Sequence, residues 1–352
     1  VFLKAAAGSE DLKPDPSQPN GGSGTLIPQP FCDHPHGRSR LSVFPHRSRR
    51  LSFHLEFDSR HAINNAPNGA EREFTMIDLH NHILPGSDDG ARDWRDSLEM
   101  ARAAVDDGIT DVVCTPHWVS CEYENGSARI LEKLAQLQTL LVESKLPLQL
   151  HPGTELRLDP SLPSLLRSGD LLTINDGKRY ALIELPMHVM PMGLQSFFLE
   201  LDAHGIVPVI AHPERYPWVI EEPELVYRWV SDGFLVQITA ASLLGEFGQT
   251  VERLSRRLLE HRLVQVIATD SHGLKMRSPK LSRARQVAAA CIGEEAGWDL
   301  VRDNPAKIIA GRPLNPPEPI ELSNKSGGWR RFFARFGSKR PADRGRGLYP
   351  RA

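Results

Sequence analysis

The sequence predicts an α/β fold built as a closed parallel barrel, and three observations carry that reading. From Met76 onward, short apolar runs rich in β-branched residues alternate with amphipathic stretches. Such alternation is the pattern of repeated βα units, whose strands pair in parallel through right-handed crossovers. Seven such units in about 235 residues suit a closed barrel better than an open sheet.

Strands are expected at 76–80, 111–115, 148–151, 180–185, 206–211, 235–238 and 264–269, with helices near 93–107, 127–144, 160–168, 193–204, 222–232, 249–261 and 279–291. Gly108, Gly205 and Gly233 follow three of the helices, where the backbone turns left-handed. Asn304-Pro305 opens a last short helix ending at Gly311, and Pro313, Pro316, Pro317 and Pro319 mark the end of the domain. The expected organisation is therefore a disordered extension over 1–75, a catalytic domain over 76–312, and a Pro-rich, then basic, disordered tail over 313–352. Residues 1–75 are rich in Pro, Gly, Ser, Arg and His without a sustained period. Met76 directly precedes the first strong strand pattern, so it is the expected functional start, with the upstream segment an extension or a mis-set reading frame.

With 352 residues, 40% hydrophobic and 24% charged, the chain can bury one large core or two ordinary ones. The 42 basic and 44 acidic residues nearly cancel, which argues against a dedicated nucleic-acid binder. The balance is uneven along the chain. Nine basic residues against Asp343 give 325–351 a charge of +8, and 76–324 carries about −11. Four cysteines (Cys32, Cys114, Cys121, Cys291) form no C-x-x-C pair or disulfide scaffold, which fits a reducing compartment. No stretch approaches the roughly 18 apolar residues of a membrane span, and the start lacks a basic region followed by an apolar one. A cytoplasmic location is expected. Near the end, Trp329, Phe332, Phe333 and Phe336 recur at helical spacing beside Arg330, Arg331 and Arg335. This pattern fits either a short helix lying on an anionic membrane surface or an unstructured tail with incidental aromatics.

Functional groups of a parallel barrel gather at the C-terminal ends of its strands, and here those ends carry metal-ligand chemistry. The first strand leads through Asp78-Leu79-His80-Asn81-His82, where a period of two places Asp78, His80 and His82 on one face. His117, Glu155, Glu184, His212, Asp270 and His272 follow later apolar runs. Taken singly, each has a plainer reading: Glu184 as a buried ion-pair partner, His117 and His212 as capped loop histidines, Asp270 as a helix cap. Taken together, so many ionisable groups next to a core need compensating cations. In Gly86-Ser87-Asp88-Asp89-Gly90, Asp89 is the better placed ligand because Gly90 lets the chain turn beside an ion; an ordinary Asx turn is the alternative. Mixed imidazole and carboxylate donors without thiolate point to Mn, Fe or Zn. The surplus of ligands suits several ions acting together on a phosphoester. Arg215 and Arg277 lie a few residues past His212 and His272, where guanidinium forks can grip phosphate oxygens.

The D-L-H-N-H start, the D-D-G loop, T-P-H at 115–117, G-T-E at 153–155, Y-A-L-I-E at 180–184, A-H-P-E-R-Y at 211–216 and T-D-S-H at 269–272 together resemble the PHP (polymerase and histidinol phosphatase) superfamily. Within it, the chain resembles the CpsB/CapC-type manganese-dependent protein-tyrosine phosphatases of capsule and exopolysaccharide loci. The resemblance covers roughly 76 to 312. It implies a distorted (β/α)7 barrel with three Mn2+ ions. Carried over by position, His80, His82, Glu155 and Asp270 would hold the first ion, Glu155, Glu184 and His212 the second, and Asp89, His117 and His272 the third. Asp78 would orient a ligand, and Arg215 and Arg277 would bind phosphate. The implied substrate is the Tyr-rich tail of a membrane-bound bacterial tyrosine kinase controlling polysaccharide synthesis.

Other readings remain at this point. A small-molecule phosphatase such as a histidinol-phosphate phosphatase uses the same barrel, and a non-catalytic module could retain the metals. A nuclease is disfavoured because a barrel of charge about −11 repels polynucleotide. Cys32 and Arg38 match the C-x5-R spacing of cysteine-dependent phosphatases, but Pro28, Pro30 and Pro35 surround them and no strand-to-helix turn supports a phosphate cradle.

Overall fold

The computed structural model describes residues 75–275 and 277–322. The expectations for the N-terminal extension up to residue 74, for Cys32 and Arg38, and for the aromatic-basic stretch at 329–336 lie outside those residues.

Nine strands are present among the described residues: β1 (Met76–Asn81), β2 (Ile109–Cys114), β3 (His117–Trp118), β4 (Gln149–Pro152), β5 (Glu155–Arg157), β6 (Tyr180–Glu184), β7 (Val207–Ala211), β8 (Leu235–Thr239) and β9 (Val266–Ala268). All neighbours are parallel, in the orders β1-β2-β4 and β3-β5-β6-β7-β8-β9. The two orders belong to one barrel of seven positions, because β3 continues β2 and β5 continues β4. The first break falls at Thr115-Pro116, where proline has no N–H to give to the ladder. The second falls at Gly153-Thr154, and a Cβ on Gly153 would stand 2.7 Å from Val113 Cγ1. The segments stay in step because Thr115 N donates to Asn81 O (2.9 Å) and Glu155 N to Pro116 O (3.2 Å). The barrel closes between β1 and β9, where Asp270 N donates to His80 O (2.8 Å) and His82 N to Ser271 O (3.0 Å).

The expected helices are all present, at Trp94–Asp106, Ser127–Glu143, Leu162–Ser168, Leu194–Ala203, Glu224–Ser231, Gln249–Glu260 and Ser282–Ile292. Asp93 caps the first, its carboxylate accepting from Asp96 N at 2.9 Å. Gly108, Gly205 and Gly233 take φ of 91°, 73° and 93°, the left-handed turns their positions require. Short helices not foreseen from periodicity, Pro217–Glu221 and Ala240–Leu243, sit in the loops at the mouth. Each spans about one turn, too short for a 3.6-residue pattern to register.

Packing follows the strand alternation. Outward-facing Val112, Leu156, Ile183, Ile210, Val236 and Ile267 join the helices in the main core, while Leu79, Val113, Leu182, Val209, Leu235 and Val266 fill the barrel interior above Ile308. On β6 the inward face carries apolar Leu182 and then, one pleat nearer the mouth, Glu184; on β8 it carries Leu235 and then Gln237. The interior is thus dry at the base and ionisable at the top. Residues beyond Arg312, placed by their prolines outside the domain, still pack on it. The Tyr180 hydroxyl donates to Arg312 O (2.7 Å) and accepts from Leu314 N (3.2 Å), Ile320 N donates to His261 O (2.9 Å), and Leu322 is buried. The reason is that Leu322 completes the core, a contact that a proline count does not register.

Tyr216, wholly buried, clamps the ends of two neighbouring strands: its hydroxyl accepts from Leu185 N and donates to Ala211 O, each at 2.9 Å. Replacing it with Phe leaves both backbone groups unsatisfied, so Tyr216→Phe should lower unfolding free energy by about 1–3 kcal/mol in a denaturant titration.

Candidate metal centre

The sequence-selected histidines and carboxylates converge at the C-terminal mouth. His80 and His82 leave the end of β1, His117 begins β3, Glu155 begins β5, Glu184 ends β6, His212 follows β7, and Asp270 and His272 follow β9. Three overlapping sets have donor atoms that all lie within 4.8 Å of one another: His80, His82, Glu155 and Asp270; His82, Asp89, His117 and His272; and His117, Glu155 and Glu184.

In the deepest set, His80 Nε2 and His82 Nε2 are 3.0 Å apart, with Glu155 Oε2 at 3.2 and 3.3 Å and Asp270 Oδ1 at 3.4 Å from each. Nearer the rim, Asp89 Oδ1 is 3.1 Å from His272 Nε2 and 3.5 Å from His117 Nε2. His212 Nε2 lies 3.0 Å from Glu155 Oε1 and 4.0 Å from Glu184 Oε1. His117 also reaches this side, since its Nδ1 is 2.9 Å from Glu155 Oε2. The alignment there is not that of a hydrogen bond, and both atoms stay unsatisfied although buried, as do His272 Nε2 and His212 Nδ1.

These observations test whether the residues suit divalent cations, and they do. Buried polar atoms without partners are costly, two imidazole nitrogens facing each other at contact distance cannot both point a proton inward, and the donor set is nitrogen and carboxylate without sulfur. Charge tells the same story. Burial disfavours ionisation of Glu155, yet His80 and His117 hold its carboxyl well below the usual range. Burial and the charge of Glu155 push Glu184 up to about 7. Burial and then Arg215 push His212 down to about 4, which keeps its imidazole neutral with a lone pair to give.

Around this cluster stand residues that fix it. Asp88, adjacent to the expected ligand Asp89, accepts from His117 N (2.8 Å) and Gly90 N (3.0 Å) and lies 2.7 Å from His82 Nδ1. Asn125 Nδ2 donates to both Ser87 O and His117 O at 2.8 Å, tying that loop to β3. Arg157 Nε donates to Glu184 Oε2 at 2.9 Å. Sequence reasoning missed Asn125 and Arg157, although the period of two from Glu155 puts Arg157 on the same inner face.

The expected face shared by Asp78, His80 and His82 is only partly observed. A register shift interrupts β1 between Asp78 and Asn81. The Asp78 carboxylate turns to Thr269, accepting from its N (2.8 Å) and Oγ1 (2.5 Å), and to Asn81 Nδ2 (2.8 Å), while the two imidazoles meet above it. Arg215 and Arg277 both reach the rim and both rest on Asp270. Arg215 NH1 is 2.5 Å from Oδ2, and Arg277 NH1 is 3.2 and 3.1 Å from the two oxygens.

A parallel α/β barrel with a buried imidazole–carboxylate cluster at its C-terminal mouth defines the class. Comparison with known proteins narrows it. Residues 76–310 match the family model described as capsular polysaccharide synthesis, CpsB/CapC. The tyrosine-protein phosphatase YwqE of Bacillus subtilis is 38% identical over 248 residues, 70% of this chain and 97% of that protein. The tyrosine-protein phosphatase CpsB of Streptococcus pneumoniae is 30% identical over 239 residues, 66% of this chain and 98% of that protein. Among solved structures, a chain from work on YwqE of B. subtilis and CpsB of S. pneumoniae, described there as unique metal-dependent tyrosine phosphatases, superposes with a TM-score of 0.68. It is 38% identical and is covered in full, against 71% of this chain. The chain belongs to the CpsB/CapC family.

Gly90 lies against the cluster so closely that a Cβ there would stand 2.2 Å from His82 O and 2.5 Å from His82 Cβ. Gly90→Ala must therefore displace the Asp88–Asp89 loop or His82. It should cost about 1–3 kcal/mol of stability in chemical denaturation, as overpacking does.

Proposed function

We propose that this chain is a metal-dependent protein-tyrosine phosphatase acting on a phosphotyrosyl protein, with the cytoplasmic tail of a membrane tyrosine kinase that governs capsule or exopolysaccharide synthesis as the physiological substrate. The observation that carries the reading is the convergence of nine donor residues from six barrel positions and the Asp89 loop on one mouth. The tyrosine-phosphatase activity of relatives that align over nearly their whole length supports it. Among the described residues, no helix is long and apolar enough to cross a membrane. The catalytic unit spans residues 76–312 with the packed segment to Leu322. Removal of residues 1–75 should leave turnover unchanged.

In this reading, His80, His82, Glu155 and Asp270 hold one Mn2+ ion, Glu155, Glu184 and His212 a second, and Asp89, His117 and His272 a third. Such cations supply Lewis acidity and charge neutralisation for attack of water on phosphorus. The protein's own groups do the rest. Asp88 holds the His82 ring and the His117 main chain. Arg157 offsets the charge of Glu184. Asp78 fixes the strand end that carries His80. Arg215 and Arg277 sit at the rim with N–H groups beyond those on Asp270, and these bind the non-bridging phosphoryl oxygens. A phenol leaving group, of pKa near 10, departs with less protonation than an alkoxide needs. The phosphotyrosine ester therefore makes little demand on a general acid.

The purified protein should hydrolyse p-nitrophenyl phosphate and phosphotyrosyl peptides when Mn2+ is added, lose that activity in EDTA, and prefer phosphotyrosine to phosphoserine and to histidinol phosphate. Inactivity despite bound metal would instead assign a regulatory role. Arg215→Ala and Arg277→Ala should each weaken phosphotyrosyl-peptide use about ten- to hundredfold in kcat/KM, the value of one charge-assisted hydrogen bond.

A further inference from the structure

β8 is the one barrel position that contributes no ligand to the assignment above, yet its inward residue at the level of the cluster is polar. Gln237 is fully buried, with Leu235 on the same face toward the base. A buried amide between Val236 and Ile238 costs free energy unless it is used. Here its oxygen is used, its Nε2 has no partner among the described residues, and the main chain of the same residue makes a second bond. The side-chain Oε1 lies 3.0 Å from His80 Nδ1, and the main-chain oxygen accepts from His212 N at 2.8 Å. One residue thus reaches the His80 ring through its side chain and the His212 main chain through its carbonyl.

We infer that Gln237 is a positioning residue for the metal centre: its carboxamide oxygen keeps the His80 ring proton on Nδ1 and aims the Nε2 lone pair into the cluster. The inference rests on the metal-dependent reading given above. A neutral imidazole carries one ring proton, and the acceptor at one nitrogen decides which of the two keeps it. With an acceptor against Nδ1, the proton stays there, and Nε2 faces His82 Nε2 at 3.0 Å, Glu155 Oε2 at 3.2 Å and Asp270 Oδ1 at 3.4 Å as a donor of electrons. Without it, the ring can carry its proton on Nε2, hydrogen-bonded to those carboxylates, and bind no cation. Asp88 stands in the same relation to His82, 2.7 Å from its Nδ1. The two histidines of the His-x-His pair are therefore oriented from different elements, one by a carboxylate on a loop and one by a neutral amide on a strand.

The test uses the full chain and two substitutions of similar size, Gln237→Met, which removes the acceptor, and Gln237→Glu, which keeps one. Mn2+ affinity is measured by competition with a chelator, bound metal per chain by elemental analysis, and the melting temperature on the metal-free proteins. Gln237→Met should bind Mn2+ about ten- to hundredfold more weakly than the natural chain, as loss of an outer partner of a ligating histidine does. Its metal-free melting temperature should stay within a few degrees, and Gln237→Glu should recover most of the affinity. Natural affinity in Gln237→Met overturns the inference. So does a weak Gln237→Met whose metal-free form melts far below the natural protein, since that marks a packing role, and so does a Gln237→Glu chain that binds no better than Gln237→Met. If the unsubstituted protein itself fails to bind Mn2+, the metal-dependent reading fails first, an outcome separate from failure of the variants alone.

Discussion

Closure of the sheet between its first and last strands is the constraint on which the centre depends. His80 and His82 come from one edge of the seam, and Asp270 and His272 from the other. Two main-chain hydrogen bonds across the seam set their separation, Asp270 N to His80 O and His82 N to Ser271 O. The Asp78 carboxylate, which no solvent reaches, locks the same seam by holding Thr269 through two of its groups and Asn81 through a third. A residue that resembles a ligand by spacing is thus a clasp by structure. Opening the seam would part the His80, His82 and Asp270 donor atoms that lie within 3.4 Å of one another across it.

Electrostatics is the second constraint. The mouth concentrates carboxylates and imidazoles in a region from which water is largely excluded, and the protein compensates locally. Burial alone would neutralise Glu155 and Asp270, but neighbouring imidazoles, with Arg277 as well for Asp270, keep both ionised. Glu214, next to the rim arginine, is also fully buried and is pushed up to about 7 by that burial, and its Oε1 accepts from Thr239 N at 2.9 Å. It belongs to the support of the β7–β8 loops and not to the cluster, which fits a carboxyl that can stay protonated near neutrality.

Much of this was legible in the sequence because its physical causes are local. Strand β7 is an uninterrupted apolar run and β6 is one up to Glu184, and the glycines at 108, 205 and 233 end helices for reasons of backbone geometry alone. His117, Glu155, His212 and Asp270 stand out because ionisable groups directly after apolar runs are expensive to bury. Hidden from that reasoning were the breaks after Cys114 and Pro152, which split two barrel strands, the first at Pro116 and the second where Gly153 lies close against Val113. Hidden too were partners that meet across long sequence distances: Gln237 with His80, Asn125 with Ser87, Arg157 with Glu184. A glutamine inside Leu235–Thr239 has no local pattern to mark it, since its use becomes visible only when a strand far away in the chain is laid beside it.

The docking of residues 312–322 has a consequence for how the molecule is presented. His261, which receives Ile320, ends the helix that runs back from the mouth before β9, so the chain leaves the barrel at its floor, and Met76 enters β1 at that same floor. Thr75 and the packed stretch around Ile320 therefore both lie on the side away from the imidazole–carboxylate cluster. The mouth is thus left clear of the points at which the described segment begins and ends.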